Sequence, residues 1–431
     1  MRRTGRPQGA DLQSELVALP AHEGAPDPFA TVRELPLPGA SLGEVIAALD
    51  ARYDPALAEG WDAVGLVCGD PEETVRSVLF AVDPTSAVVD EAIEAGVDLL
   101  VTHHPLLLTP VHGVPASDPK GRLVHRLVRA GIGLFVAHTN ADRAADHGVN
   151  DALAAALGLV DPTPLETIPA PLTDTMVVFT PVAHADRLVD ALSEAGAGVM
   201  GDYTRCVWQT TGTGTFIPGD GAHPTIGSQG HLERVPEVRL EMVVPRGRRA
   251  DVLRALHAWH PYEDPGYAFF ENSATPSRAG LGRVGELVSA LSLREFAERV
   301  AQVLPATAGG VRVAGDPERL VQTVAVCGGS GGSLLGPAAG AGADVLLTSD
   351  LKHHPVSEAG ESAGPALCEV SHYASEWPWL PVAADLLHRD LGARVQVAVS
   401  ACRTDPWTWH VGSHDHDTEG VHLHRADSSP D

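Results

Sequence analysis

Short apolar runs alternate with amphipathic stretches along much of the chain. One run, at 99–101, gives way directly to His103 and His104, which predicts a buried strand that ends in two imidazoles. A second buried strand is predicted at 132–137, and an amphipathic helix is predicted at Ser86–Ala95. Strands that alternate with helices favour right-handed βαβ units and a mostly parallel sheet covered on both faces. The pattern therefore predicts an α/β protein.

The pattern changes between residues 170 and 272. Strand-like and helix-like segments follow one another there in the order β-α-β-β-α-β, which is that of a small ferredoxin-like unit. One of its strands is predicted at 203–211, and the stretch rich in Gly, Pro and Thr that follows, at 212–230, is predicted to be a loop. We therefore predict an inserted α+β domain between two α/β lobes. The predicted segments are a loose N-terminal extension at 1–38, a first lobe at 39–169, the insert at 170–272, a second lobe at 280–405 and a polar, His-rich tail at 406–431.

The predicted second lobe contains a segment that is similar in sequence to the histidine-bearing strand of the first. The sequence Asp-Val-Leu-Leu-Thr-Ser-Asp-Leu-Lys-His-His-Pro at 344–355 is similar to Asp-Leu-Leu-Val-Thr-His-His-Pro at 98–105. Such internal similarity indicates two related lobes that face each other across a cleft. Ligands of open α/β sheets gather where strands end. Four predicted strand ends carry candidate side chains, namely His103 with His104, His138 with Asp142, His353 with His354, and His372 with Glu376.

These candidate side chains are imidazoles and carboxylates, without a thiolate. The donor set suits borderline-to-hard divalent ions such as Zn, Fe, Mn, Co or Ni. A carboxylate has two oxygens and can bridge two ions, and such a pair polarises a water. The spacing of His372 and Glu376 is helical, but Pro378 and Pro381 argue against an unbroken helix. We therefore expect His372 at a strand end and Glu376 in the turn that follows it.

Composition narrows the classes of function. The chain has 431 residues with a formal net charge of −26, and nucleic-acid binding normally needs a basic surface, so no nucleic-acid partner is expected. The five cysteines are scattered and form no Cys-x-x-Cys pair, which favours a reducing, cytoplasmic location. No apolar run is long enough to cross a bilayer, and none follows the basic first residues. We therefore expect neither a membrane span nor a signal peptide.

The strand ends also carry four longer motifs: Val-Thr-His-His-Pro, Ala-His-Thr-Asn-Ala-Asp, Leu-Thr-Ser-Asp-Leu-Lys-His-His and Ser-His-Tyr-Ala-Ser-Glu. As a set, over about 40–405, they resemble the Nif-three-like dinuclear metal-centre hexameric proteins, also called GTP cyclohydrolase I type 2 homologues. The family's tyrosine-containing motif appears here as Ser-Asp-Leu-Lys-His-His at 349–354, without the tyrosine hydroxyl. The insert also resembles the PII-like insert of the longer family members, through motifs at 195–198, 212–216 and 260–263.

This resemblance implies a dinuclear centre with two divalent metal ions per chain, in a cleft between the lobes, and a homo-hexamer. It implies that His138, His353 and His354 line the cleft without being ligands. The metal ligands carried over onto this sequence are His103, His104, Asp142, His372 and Glu376.

Two functions remain open on the sequence. In the first, the chain is a metal-dependent hydrolase acting on a nucleotide-like substrate such as a purine ring, with His138 or His354 moving protons. In the second, it is a non-enzymatic protein that stores or delivers metal, or that regulates a partner through its PII-like insert. A small-molecule or nucleotide ligand fits the first function. However, Lys352 and Arg143 are the only obvious cations near the ligand strands, so the sequence shows no basic cluster to hold a triphosphate.

Overall fold

The computed structural model describes residues 37–170, 172–201, 203–274 and 277–412. Most of the predicted N-terminal extension and the predicted tail from 413 onward lie outside the described residues. The chain divides into two compact units. We name them the host unit, formed by Met1–Glu166 with Gly280–Asp431, and the inserted unit, Thr167–Ala279.

Strands and helices follow one another through both units. In chain order, the strands are β1 (Ala40–Ser41), β2 (Gly65–Cys68), β3 (Thr74–Val75), β4 (Ser77–Ala81), β5 (Leu99–Thr102), β6 (Gly133–Val136), β7 (Leu159–Thr167), β8 (Thr173–Pro181), β9 (Trp208–Phe216), β10 (Glu233–Pro245), β11 (Tyr267–Glu271), β12 (Gly280–Ser292), β13 (Arg312–Ala314), β14 (Leu320–Ser330), β15 (Val345–Ser349), β16 (Ala366–Glu369) and β17 (Gln396–Val399). The helices are α1 (Leu42–Arg52), α2 (Ser86–Ala95), α3 (Pro119–Ala130), α4 (Thr139–Asp142), α5 (Val149–Ala156), α6 (Ala185–Glu194), α7 (Arg249–Trp259), α8 (Leu293–Val303), α9 (Leu335–Gly340), α10 (His353–Gly360), α11 (His372–Glu376) and α12 (Trp379–Leu391). None of the helices in the described ranges is long and apolar enough to cross a membrane.

Local signals set the ends of the first helices. Ser41 caps α1, and its backbone N–H donates to the Glu44 carboxylate at 2.8 Å, while the Glu44 N–H donates to the Ser41 hydroxyl at 3.1 Å. This reciprocal pair is a capping box, which satisfies two backbone donors of the first turn. Gly96 ends α2 with a φ of +65°, a left-handed conformation that glycine adopts without strain. α2 therefore occupies the residues predicted from its amphipathic pattern.

The host unit contains two large sheets. The first has the strand order β17-β4-β5-β6-β2, and its described pairs are parallel except β2 with β6. The second has the order β13-β16-β15-β14-β12-β7, in which β14, β15 and β16 are parallel, while β12 pairs antiparallel with β14 and β13 pairs antiparallel with β16. The prediction of an α/β fold is confirmed. The mostly parallel arrangement holds for the first sheet and for the centre of the second.

The two sheets exchange strands across the predicted lobe boundaries. β7, from the predicted first lobe, lies at the edge of the second sheet beside β12, whereas β17, from the predicted second lobe, pairs with β4 in the first. α12 accompanies β17, because its Trp379 and Leu387 share a buried cluster with Phe80 and Val101 of the first sheet. Packing α12 there brings the segment just before it, α11, to the end of β5.

The inserted unit has one antiparallel sheet, of order β11-β8-β10-β9, and two helices, α6 and α7. Its elements follow the β-α-β-β-α-β order of a ferredoxin-like unit. Alternate residues of the central strands, such as Met176, Val178 and Leu240, pack in one buried cluster with Leu188 and Leu256 of the helices. The period of two in the strands thus matches the single covered face of the sheet.

One strand of the inserted unit is displaced from its predicted position. The strand predicted at 203–211 begins only at Trp208 and continues to Phe216, into residues predicted to be a loop. Arg205 has a φ of +59°, so the chain turns before Trp208. The threonines that follow favour extended backbone and carry the strand through the glycines between them.

We expect residues 170–272 to be removable, with a short linker in their place, without unfolding the host unit. The chain leaves and re-enters at adjacent points, because the Ile168 N–H donates to the Ala279 carbonyl at 2.9 Å and the Gly280 N–H donates to the Arg143 carbonyl at 3.0 Å. A host core that closes at such a point does not need the insert. The deletion product should stay soluble, unfold cooperatively and keep the metal content of the full chain. A product that is insoluble or metal-free where the full chain is not would place the boundary elsewhere.

Candidate metal centre

The two histidines follow the end of β5 directly. Backbone pairing between β5 and β4 continues beyond the ends of both strands. The His103 N–H donates to the Ala81 carbonyl at 3.1 Å, and the His104 N–H donates to the Val82 carbonyl at 2.9 Å. The Thr102 hydroxyl donates to the His104 carbonyl at 2.9 Å. His103 is fully buried, whereas 21% of the His104 side chain is exposed. The two rings lie side by side, with centroids 5.0 Å apart.

β6 lies next to β5, and the helical turn α4 that follows it brings two more candidate residues to the same place. The His138 N–H donates to Asn140 Oδ1 at 2.9 Å, and Asn140 Nδ2 donates to the Tyr53 carbonyl at 2.7 Å, which anchors the turn. Asp142 Oδ1 lies 3.6 Å from His103 Nε2, and the His138 ring centroid lies 5.1 Å from that of His103. The end of β6 thus supplies one imidazole and one carboxylate to the histidines of β5.

α11 supplies His372 and Glu376, and here the predicted strand end followed by a turn is wrong. The two residues are the first and last of a helix, and their i, i+4 spacing puts His372 Nε2 2.9 Å from Glu376 Oε1. Pro378 and Pro381 affect the helical backbone only beyond Glu376. Pro378 precedes α12, and Pro381 lies in its first turn, where the missing N–H needs no partner.

Each imidazole of this group is held through its Nδ1 atom. The partner of each Nδ1 is a carbonyl or carboxylate oxygen, which can only accept a hydrogen bond. Each Nδ1 therefore carries the hydrogen and donates it, and the Nε2 lone pair of each neutral ring stays free. Histidines that bind metal are commonly oriented in this way. The contacts are His103 Nδ1 to Ala137 O at 2.9 Å, His104 Nδ1 to Asp83 Oδ1 at 2.7 Å, His138 Nδ1 to Asp62 Oδ1 at 2.8 Å and His372 Nδ1 to Asp350 Oδ2 at 2.6 Å.

Glu376 lies at the centre of these four histidines. We call His103, His104, His138, His372, Glu376 and Asp142 together the strand-end cluster. The Glu376 carboxylate approaches three Nε2 atoms, at 2.9 Å for His372, 3.1 Å for His104 and 3.4 Å for His103. Two sets of ligand atoms each lie within 4.8 Å of one another. They are His103 with His104 and His138, and His104 with His372 and Glu376. Because His104 belongs to both sets, the two groups of atoms that could hold a metal ion are adjacent and overlap.

Three buried atoms of the cluster make no hydrogen bond within the described part of the chain: His103 Nε2, Asp142 Oδ1 and Glu376 Oε2. Buried polar atoms are nearly always paired, and leaving one unpaired costs roughly 1–3 kcal/mol. Imidazole nitrogens and carboxylate oxygens are ligands that divalent transition metals accept. The residues present therefore fit a metal ion.

Charge attraction couples the ionisation of the cluster. Burial lowers the pKa of His104, but attraction to Glu376 together with the hydrogen bonds to Asp83 and Glu376 outweighs it and raises that pKa to about 11. The same balance raises the pKa of His372 to about 9. Burial works to raise the pKa of Glu376, yet the charges of His104 and His103 hold it well below its usual range. The cluster therefore favours positive charge around Glu376, whether protons or a metal ion supply it.

Gly329, near the end of β14, backs the cluster. It has a φ of +66°, and a Cβ at this position would lie 2.5 Å from Glu376 Oε1 and 3.0 Å from His372 Nε2. Its N–H donates to the Ser375 hydroxyl at 2.9 Å, which ties β14 to α11. Both the backbone conformation and the space taken by Glu376 therefore require glycine here.

His353 and His354 are not part of the cluster. They do not end a strand, because β15 ends at Ser349 and the two histidines begin α10, where both are exposed. Their rings meet edge to face with centroids 5.2 Å apart, and neither joins a set of ligand atoms among the described residues. The role of His354 in moving protons stays a prediction.

Three carboxylates that hold imidazoles were not predicted from the sequence: Asp62, Asp83 and Asp350. Asp83 follows β4 and Asp350 follows β15, so both obey the strand-end rule that drew attention to the histidines. Asp62 lies in a loop without periodicity. Burial works to raise its pKa, but the hydrogen bonds from His138 and Thr139 lower it, so it stays a carboxylate.

Replacing these supporting carboxylates by amides should weaken metal binding. We expect Asp83→Asn and Asp350→Asn each to raise the dissociation constant for metal about tenfold, since an amide still accepts the Nδ1–H but no longer polarises the ring. Asparagine suits position 350, whose φ is +55°. Competition with a chromophoric chelator measures the affinity. Asp385→Asn, on the exposed side of α12, is the matched control. Affinities equal to that of the control would show that the carboxylates do not support the site.

The fold and the cluster together define a class: an α/β protein with a His- and carboxylate-rich site at the carboxyl ends of its strands, able to hold a metal ion. The chain belongs to the Duf34/NIF3 (NGG1p interacting factor 3) family, which matches it over residues 40–406. The resemblance suggested by the four motifs is thereby confirmed.

Individual relatives cover nearly the same part of the chain. A Mycobacterium leprae protein described as GTP cyclohydrolase 1 type 2 homolog is 49% identical over 369 residues, which make up 85% of this chain and 95% of the relative. A Bacillus subtilis protein of the same description is 36% identical over 370 residues, covering 85% and 98% of the two chains. The crystal structure of a Bacillus cereus protein related to NIF3 is similar with a TM-score of 0.71 and 34% identity, covering 86% of this chain and 99% of that one.

Proposed function

We propose that the host unit binds a pair of divalent metal ions at the strand-end cluster. The observation that carries this proposal is the set of imidazoles held by oxygens at Nδ1, which leaves their Nε2 atoms for a cation. The Glu376 carboxylate supports two adjacent ions rather than one, because its Oε1 faces His103 and His372 while its Oε2 faces His104. The donor set fits Zn, Fe, Mn, Co or Ni. The proposed ligands are His103, His104, Asp142, His372 and Glu376.

We further propose that the chain is a metal-dependent hydrolase acting on a nucleotide-like substrate. The description of its relatives as GTP cyclohydrolase 1 type 2 homologs supports this substrate class. When bound, two divalent ions supply Lewis acidity that polarises a water and offsets negative charge in the transition state. In this proposal His138 moves a proton, and the support is that Asp62 holds its Nδ1–H and leaves its Nε2 to accept a proton and return it.

One feature of the host unit favours a second candidate, a non-enzymatic protein that stores or delivers metal or regulates through its insert. A cavity beside His104 and His372 has Arg312 as the one arginine or lysine among its described lining residues. Arg312 is already paired with Glu369. The cavity walls therefore offer little to hold a triphosphate, as the scarcity of cations in the sequence also indicates.

Metal analysis of protein purified without an affinity tag, followed by a nucleotide screen with the same metal restored, tests both candidates. About two ions per chain with turnover of a nucleotide would support the hydrolase. Two ions without turnover of any nucleotide would favour storage, delivery or regulation, and absence of metal under every loading condition would contradict the dinuclear site. His138→Gln refines the result, because loss of turnover with both ions retained indicates proton transfer, whereas loss of an ion makes His138 a ligand.

The homo-hexamer, the PII-like character of the insert and the cytoplasmic location stay predictions. The hexamer rests on the family resemblance alone. With a net charge of −26, a ring would need sizeable apolar interfaces to overcome self-repulsion.

A further inference from the structure

A cavity of about 830 Å³ opens beside the strand-end cluster, entirely within the host unit. Cavities of roughly 300–1,000 Å³ are typical of small-molecule sites. His104 and His372 line it, and their side chains are 21% and 33% exposed, whereas His103 on the inner side is fully buried. A solute therefore reaches the cluster through this cavity.

The segment that follows β17, residues 400–410, forms one wall of the cavity, and we call it the C-terminal strap. The Thr404 hydroxyl donates to Asp83, the carboxylate that also holds His104. Arg403 Nη1 donates at 3.1 Å to a backbone carbonyl of the loop before β13. The strap is thus tied both to the body of the host unit and to the cluster.

Two indoles of the strap, Trp407 and Trp409, line the cavity while 72% and 74% exposed. An aromatic side chain buries roughly 150–250 Å² when it is covered, so folding normally hides such rings. Two of them on the wall of one cavity indicate an occupant that covers their faces. A planar ring does this best, because offset stacking matches the charge distribution of the two π-systems.

Asp405, between these indoles and Thr404, adds a directional contact. It lines the cavity and is only 7% exposed. Its Oδ1 accepts the backbone N–H of Trp407 at 3.0 Å, and its Oδ2 is buried without a hydrogen-bond partner in the described ranges. An unpaired buried carboxylate oxygen is costly, so a donor from the occupant that reaches Oδ2 would stabilise it.

The charges around the cavity limit what the occupant carries. Its lining includes four carboxylates, and Arg312 is the one arginine or lysine among the described lining residues. Walls with this charge do not attract an anionic part of the occupant, such as a phosphate tail. The four carboxylates are Asp83, Asp350, Glu369 and Asp405.

We propose that this cavity binds a planar nitrogen heterocycle with N–H donors on its edge, stacked on Trp407 and Trp409 and hydrogen-bonded to Asp405. The proposal rests on the proposed function, since it names the part of the substrate that the chain itself recognises. The ring is held beside His104 and His372, at the entrance to the cluster. Recognition of the ring needs no metal, whereas any phosphate tail would have to be held by bound cations.

Equilibrium dialysis with unphosphorylated probes tests this. Guanosine, adenosine, cytidine and pterin are compared with ribose, on metal-loaded and on chelator-treated protein, with metal content measured in the same samples. We expect at least one ring with N–H donors to bind at least tenfold more tightly than ribose in both forms. On the chelator-treated protein, its triphosphate should bind no more tightly than the nucleoside.

Variants identify the contacts. Trp407→Ala with Trp409→Ala should weaken ring binding at least tenfold and leave metal content unchanged. Trp208→Ala, which removes an indole 58% exposed on the inserted unit, should change neither. Asp405→Asn should weaken guanosine binding several-fold but not the binding of 1-methylguanosine, which lacks the N1–H. Thermal unfolding checks each variant, and single Trp→Leu variants keep apolar bulk without a stacking face.

Three results would overturn the proposal. They are a panel in which no ring binds better than ribose, a double variant that binds like the wild type, and a double variant whose mass in light scattering falls while ring binding is unchanged. The last would mean that a second copy of the chain covers the indoles. A wild-type protein that binds the ring but takes up no metal under any loading condition would contradict the dinuclear site and leave this proposal standing, so the two failures are distinguishable.

Discussion

Replacing Glu376 by glutamine should lower the metal content from about two ions per chain to one or fewer. Glu376 lies within 2.9–3.4 Å of the Nε2 atoms of three histidines and is 3% exposed. An amide has almost the same shape, but it has one acceptor oxygen and no charge, so it bridges two cations poorly. Elemental analysis of untagged protein, dialysed against a fixed concentration of free metal, measures the loss.

The control for this variant is Glu358→Gln, on the exposed face of α10, which should keep both ions. Thermal unfolding of the two variants in the presence of chelator separates loss of ligand from loss of fold. A Glu376→Gln protein that keeps two ions at wild-type occupancy would remove Glu376 from the ligand set and undermine the bridging role.

Replacing Arg283 by alanine should destabilise the host unit by about 3–5 kcal/mol, the cost of breaking a buried ion pair from one side. Arg283 is 1% exposed, and its guanidinium donates two hydrogen bonds to Asp151, at 2.6 and 3.0 Å. It also donates to the carbonyls of Ala144, Gly280 and Gly282 at 2.6–2.9 Å. Without it, a carboxylate and three carbonyls lose their donor.

Chemical denaturation followed by circular dichroism measures this loss. Arg389→Ala, which removes an exposed i, i+4 partner of Asp385, is the matched control and should cost less than about 1 kcal/mol. Arg283→Lys keeps the charge but not the planar fork, so it should fall between the two. A cost for Arg283→Ala no larger than that of Arg389→Ala would show that water replaces the buried bonds.

Local sequence signals predicted the elements that carry most of the cluster. The apolar run before His103 and His104 is a buried strand because its neighbours on both sides are strands of the same sheet. The capping residues of α1 and the glycine after α2 act within one turn, so they are visible in the sequence. Patterns of this kind depend on near neighbours alone.

Long-range packing decided what the sequence did not predict. The prolines after Glu376 suggested a turn, but the helix completes one turn before Pro378 interrupts it. Asp62 has no local pattern, and its role follows only from its position opposite His138. The sheet that α12 covers also cannot be predicted from its amphipathic pattern, because the pattern shows that one face is buried but not against which partner.

The exchange of β7 and β17 between the two sheets has a consequence for biosynthesis. Most strands of the first sheet emerge early from the ribosome, but its edge strand and the helix that covers it end only at Val399 and Leu391. A nascent chain that has passed β6 therefore exposes the apolar face that Trp379 and Leu387 later cover, which makes it a substrate for chaperones. His103 and His104 also have no contact with Glu376 until α11 has been translated. A metal ion bound by the complete cluster would consequently be inserted only after α11 has emerged from the ribosome.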